Sequence, residues 1–299
     1  MATHNPTTDR SFPLIPFASL LLGGMAIGFG GILVRWCDVN PVASAFWRMA
    51  LAAPFLWAWA FAVQKQDNAQ GKRTDFTVVL LLAGVFFAGD LGVWHLSLFY
   101  TTVANATLLS NLAPLFVTLW AWGIQKERIR LLFLAGMVAA LTGAGMLVGP
   151  NAALGGDRLL GDGLGFTTAF LYAAYQVTVK DARSRYSTAR LMAWSSTLTA
   201  LALLPFALLM PGRFFPASAA GWQILFLLAF VAQIGGQTVI AYAFAHLPAA
   251  LSSVSLLIQP LTAAVAAWIL LQESLGPLQI AGGVLILFGI YLSRRGQGT

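Results

Sequence analysis

Apolar runs of about 20 residues recur along this chain, separated by short polar or Pro/Gly-bearing stretches. A run of that length crosses a bilayer as one helix. Ten such spans are predicted, at about 14–34, 41–63, 76–97, 102–124, 129–149, 162–180, 189–210, 220–243, 249–271 and 277–293. The pattern predicts an all-α integral membrane protein.

The runs repeat. Shifting the sequence by 146 positions lays Pro114 on Pro260, Leu115 on Leu261, Ala121-Trp122 on Ala267-Trp268, Glu127 on Glu273, Gly136 on Gly282 and Gly143 on Gly289, with no gap. Two copies of one five-span unit are expected, residues 14–149 and 161–293. A linker at 150–160 joins them, and short tails lie at 1–13 and 294–299.

Composition agrees with the pattern. Hydrophobic residues make up 59% of the chain and charged residues 9%, against about 25% charged in a soluble domain. The net charge of +7 is no nucleic-acid signal, because the cations lie in short loops between spans. The one cysteine, Cys37, excludes an internal disulfide and a cysteine-cluster metal site. The first span is not followed by a small-residue cleavage site, so it does not read as a removable leader.

The cations also orient the chain. With the termini on the cytoplasmic side, thirteen Lys and Arg fall in inner segments and three, Arg35, Arg158 and Arg213, in outer ones. An odd number of spans per half then turns the second half upside down. Inverted repeats of this kind characterise secondary transporters, with the site near the midplane between the halves. The expected architecture is ten helices, as two inverted five-helix repeats, around a central cavity.

The stretches GDLGVWHLSLFYTTVANATLLSNLAPLFVTLWAW (89–122) and LPAALSSVSLLIQPLTAAVAAWILLQESLGPLQIAGGVLILFGIYL (247–292) resemble signature regions of the EamA family in the drug/metabolite transporter superfamily. Arg48-Met49 sits where many members carry an Arg in the second helix. The resemblance spans nearly the whole chain. It implies export of small metabolites, amino acids above all, from the bacterial cytoplasm; the YddG-type relatives look like aromatic amino-acid exporters. It implies a protein of the bacterial inner membrane, not an enzyme.

Ionisable residues inside spans are costly and are candidates for function. Arg48 and Asp90 each lie seven residues from the outer end of their span, roughly 10 Å deep. Equal depth on consecutive spans suggests an Arg48–Asp90 ion pair. Such a pair either meets the carboxylate and ammonium of a zwitterion or simply locks two helices. His95 is a candidate for a coupling proton or a helix-packing hydrogen bond. Trp94 shares a face with Asp90, and serves either to stack on substrate or to anchor the helix at the interface.

Further polar residues form stripes on other spans: Asn111 on the fourth, Tyr172, Tyr175 and Gln176 on the sixth, Gln233 and Gln237 on the eighth, Ser252 and Gln259 on the ninth. Polar groups at membrane depth need partners. A shared wet cavity would satisfy all the stripes at once, and interhelical hydrogen bonds would satisfy them one by one. Pro114 and Pro260 each remove a backbone hydrogen bond and are candidate hinges.

No phosphate-binding loop accompanies these residues. The expected function is a secondary transporter exporting small metabolites, most readily amino acids with aromatic or large apolar side chains, by alternating access. The alternatives are a multidrug or other metabolite permease of the same fold, and an integral-membrane enzyme. The expected partners are a small-molecule substrate and the lipid bilayer, with no nucleic acid, cofactor or metal. Ten helices can enclose a site in one chain, so a monomer or weak homodimer is expected.

Overall fold

The computed structural model describes residues 12–97, 99–101, 103–149 and 159–297. The expected N-terminal tail and the linker at 150–160 fall almost wholly outside them, and the C-terminal tail falls partly outside. The described chain folds as α1 (Leu14–Trp36), α2 (Pro41–Ala62), the short α3 (Gln64–Ala69), α4 (Val78–Ser97), α5 (Val103–Ser110), α6 (Ala113–Gly123) and α7 (Leu131–Val148). The second half holds α8 (Leu159–Arg185), α9 (Thr188–Leu209), α10 (Ala219–Leu228), a π-helical segment (Ala229–Gln237), α11 (Thr238–Phe244), α12 (Ala249–Ser255), α13 (Ile258–Leu271) and α14 (Pro277–Gly296).

Among the described residues nine helical stretches are long and apolar enough to cross a bilayer. α8, the sixth of the expected ten, is not one of them. Its 27 residues are ample in length, but Asp162, Thr167, Thr168, Gln176, Thr178, Lys180 and Asp181 lower its hydropathy. The helix packs against α4, α5, α6, α9, α11 and α12. Thr168, Gln176 and Thr178 lie on its buried face, turned to protein rather than lipid, while Phe166 and Phe170 on the other face are exposed.

Helix ends follow local chemistry. The Asn40 side chain caps α2 by accepting the Ala43 amide at 2.7 Å, with Pro41 in the first turn, where its missing N–H costs nothing. Ser187 caps α9 and Ser218 caps α10.

The fourth and ninth spans are each broken in two. α5 gives way to α6 just before Pro114, and α12 gives way to α13 just before Pro260. Around each break the backbone tightens to bonds spanning three residues, Leu112 N–H to the Leu109 carbonyl at 3.0 Å and Leu257 N–H to the Val254 carbonyl at 3.1 Å. Proline supplies no N–H for the carbonyl four residues earlier and clashes with it. The two prolines obey the 146-residue register, and the breaks fall within one residue of it.

Three other features obey it. Lys126 and Gln272 are the non-glycine residues with left-handed backbone among those described, both at φ 56°. After each, a Glu amide reaches back six residues, from Glu127 to the Ala121 carbonyl and from Glu273 to the Ala267 carbonyl. Each bond spans one residue more than the outer bond of a Schellman cap and closes the helix end through the left-handed residue.

The third feature fixes how the halves relate. α7 and α14 pack backbone to backbone through glycines. A Cβ on Gly136 would lie 2.6 Å from the Gly289 carbonyl oxygen, and one on Gly143 would lie 2.6 Å from that of Gly282. Positions rise along one helix as they fall along the other, so the helices run antiparallel. The 146-residue shift exchanges the two pairings, since 136 becomes 282 and 289 becomes 143. A two-fold axis therefore passes through this contact, across the helices. Small residues let membrane helices approach closely enough for dispersion to hold them.

Candidate functional site

Polar residues of the second half gather around Arg48 of the first. Its guanidinium donates to Gln233 Oε1 at 3.1 Å and approaches the Ala232 carbonyl at 3.4 Å. The Phe87 ring lies under it, 5.9 Å from guanidinium carbon to ring centroid. Positions 87 and 233 are 146 apart. Arg48 thus approaches one residue and its repeat partner, so it lies between the halves.

A layer of hydrogen bonds surrounds this centre. Gln233 Nε2 donates to Ser196 Oγ at 3.0 Å, Gln237 Nε2 to the Tyr175 hydroxyl at 3.0 Å, and Gln259 Nε2 to the Tyr172 hydroxyl at 3.2 Å. The Tyr175 ring stacks on Phe87 at 4.3 Å between centroids and 11° between planes, and Tyr172 lies 6.4 Å beyond it, tilted 17°. These three aromatic rings form a stack beside the cation. Gln233, Gln237 and Tyr175 are buried, and Tyr172 and Gln259 partly so.

The π-helical segment aims both glutamines. Thr238 N–H bonds to the Gln233 carbonyl five residues back, and Thr238 Oγ1 donates to the same oxygen at 3.1 Å. Wider turns of this kind occur mostly as local insertions, often at functional sites.

Asp90 is buried on α4, near enough to Arg48, Tyr172 and Tyr175 for charge to be felt. The direct Arg48–Asp90 ion pair expected from equal depth is not formed. Ion pairs among the described residues are Arg35–Glu273, Arg73–Asp75 and Arg185–Asp181. Equal depth fixes height and not direction around a helix, and Arg48 turns to Gln233 instead. The Asp90 carboxylate makes no hydrogen bond to any described residue.

The remaining candidates lie around the cluster. His95 is buried, with Nδ1 2.6 Å from the Leu91 carbonyl of its own helix and the Trp94 ring edge-on at 5.0 Å. Asn111 sits at the break between α5 and α6, its Nδ2 unpartnered. Gln176 is buried with Oε1 unpartnered, and lines a narrow gap with Val117, Lys180, Phe244 and Ala249. Ser252 is buried and donates to the Pro248 carbonyl at 2.9 Å, so its hydroxyl is used within its own helix.

Two residues of the cluster, Phe87 and Ser196, were not sequence candidates. Phe87 carries no polar atom, and Ser196 is one of many small hydroxyls. The repeat register held a signal for Phe87, as the partner of Gln233.

A family model described as the EamA-like transporter family matches residues 15–149 and again 159–295. An uncharacterised transporter of Archaeoglobus fulgidus is 29% identical over 87% of this chain and 90% of its own. The pseudopaline exporter CntI of Pseudomonas aeruginosa is 27% identical over 74% and 76%. A probable terminal-alkyne amino-acid exporter of Streptantibioticus cattleyicolor is 29% identical over 66% and 65%. A solved crystal structure superposes with a TM-score of 0.77 at 17% identity, over 94% of this chain and 96% of that one, and shares the fold. With both halves matched by the model, the chain is a multi-pass membrane transporter and belongs to the EamA-like transporter family.

Proposed function

We propose that the protein exports small zwitterionic metabolites, first among them amino acids with aromatic or large apolar side chains, from the bacterial cytoplasm by alternating access. The carrying observation is Arg48 between the halves, beside an aromatic stack and a buried carboxylate without a hydrogen bond. In this reading Arg48 takes the substrate carboxylate, Asp90 its ammonium, and Phe87, Tyr175 and Tyr172 its side chain. The names of two relatives as exporters, one of an amino acid, support export.

α8 is the sixth of ten spans in this reading, and both termini face the cytoplasm, in keeping with the excess of basic residues in the alternate loops. Opening to either side pivots at the breaks before Pro114 and Pro260. Gln237 and Gln259 hold the tyrosines, while Trp94, His95, Asn111, Gln176 and Ser252 line the route to the site. The test is uptake of a panel of radiolabelled amino acids by proteoliposomes, with and without a proton gradient. Saturable uptake of a few amino acids is expected. Uptake of none, with transport of drugs or other metabolites instead, would turn the assignment to a different permease.

A further inference from the structure

Arg48 is a cation at membrane depth that bonds to no anion. Its acceptors are neutral, Gln233 Oε1 at 3.1 Å and, more weakly, the Ala232 carbonyl at 3.4 Å, and its Nε has no partner. A guanidinium offers five donors in a flat fork, and a carboxylate satisfies two of them side by side. The acceptor in place is therefore a poor match to the donor.

Gln233 is held in that position. Its Nε2 is committed to Ser196 Oγ at 3.0 Å, which leaves the amide oxygen pointing at Arg48. An amide oxygen on a planar carbon has the shape of one carboxylate oxygen without the charge. The residue also lies in the π-helical segment, where its carbonyl is tied to Thr238 by both the amide and the hydroxyl. A π turn that relaxes to an α turn rotates the residues within it, giving Gln233 a way to leave.

We infer that Gln233 Oε1 is a resident stand-in for the substrate's carboxylate, and that loading requires it to release Arg48. This deepens the proposed function and rests on its reading of Arg48 as the carboxylate site. Gln233 then sets the affinity for anionic groups: a weaker competitor admits them more readily, and a charged one shuts them out. In substrate-free protein the same contact keeps the buried cation partly satisfied.

The test measures binding of three probes, phenylalanine, 3-phenylpropionate and phenethylamine, to purified full-length protein in nanodiscs. The first two carry a carboxylate and the third does not. Gln233→Glu should weaken the two carboxylates at least about tenfold and leave phenethylamine unweakened, because a fixed anion now holds Arg48. Gln233→Ala should tighten the carboxylates about threefold or more, without tightening phenethylamine. It carries the test alone if the Glu variant fails to fold.

Carboxylate binding at the wild-type level in Gln233→Glu would overturn the inference. So would equal weakening of all three probes in Gln233→Ala, the mark of a merely structural residue. So would failure of 3-phenylpropionate to bind both wild type and Gln233→Ala. A gain for 3-phenylpropionate in Gln233→Ala, with no amino-acid uptake by wild type, would keep the inference and remove the amino-acid assignment.

Discussion

Phe87 and Gln233 occupy equivalent positions in the two halves, and both approach the guanidinium of Arg48. Their difference gives the centre its polarity. An apolar ring faces the cation from the first half, and a hydrogen-bonding amide from the second. Two identical halves would build a symmetric centre; this divergence builds one with an apolar and a polar side, as a molecule with a charged head and an apolar body requires. Arg48→Lys keeps the charge and loses the fork, which is not a conservative change at such a site. It should raise KM for an amino-acid substrate about tenfold or more, a loss of about 1.4 kcal/mol, while a carboxylate-free amine is little affected. Initial-rate uptake in proteoliposomes checks this.

The α7–α14 contact leaves no room for a Cβ at Gly136, Gly143, Gly282 or Gly289. Gly143→Val or Gly289→Val should destabilise the folded protein by about 1–3 kcal/mol through overpacking. Gly31, which meets nothing within 4 Å of an added Cβ, should tolerate Ala with no loss. Thermal melting in one detergent checks the three variants together.

Lys126 and Gln272 carry left-handed backbone where glycine has no Cβ to clash. Lys126→Gly and Gln272→Gly should each stabilise by up to about 1 kcal/mol, and the effects should add because the sites are far apart in the chain and in different loops. The same melting assay applies. A loss of stability in either variant would mean that the side chain does more than the cap.

Burial pushes the Glu127 carboxyl above its ordinary value, against the pull of the Lys180 ammonium and of the Ala249 amide. The folded protein thus favours the protonated form. The contribution of that group to stability is complete below the unfolded carboxyl pKa, about 4.3, and is lost as pH rises through the raised folded value. Glu127→Gln, neutral at every pH, should melt higher than wild type near pH 7.5 and no higher near pH 4. Equal melting curves at both pH values would contradict the burial effect.

Much of the fold was legible because it rests on period and repetition. The 146-residue match through Pro114 and Pro260 marks both helix breaks to within a residue, and its match of Glu127 on Glu273 falls beside the two left-handed residues. The centre was legible in part. Gln233, Gln237, Gln259, Tyr172 and Tyr175 come together because polar side chains at membrane depth seek one another. Arg48 and Asp90 do not pair because depth says nothing of azimuth. The π-helical turn at Ala229–Gln237 left no mark in a stretch whose apolar content suits an α-helix equally well. Phe87 was hidden by its own chemistry, since a phenylalanine in an apolar helix looks like any other.

The most direct measurement of the central claim is amino-acid uptake by proteoliposomes carrying wild type or Asp90→Asn, with both proteins shown to be monodisperse and equally stable. If the carboxylate near Arg48 receives the substrate's ammonium, the variant loses saturable uptake while remaining folded. Unchanged KM and Vmax in Asp90→Asn would contradict the account, and would leave Asp90 as a buried group with no part in substrate recognition.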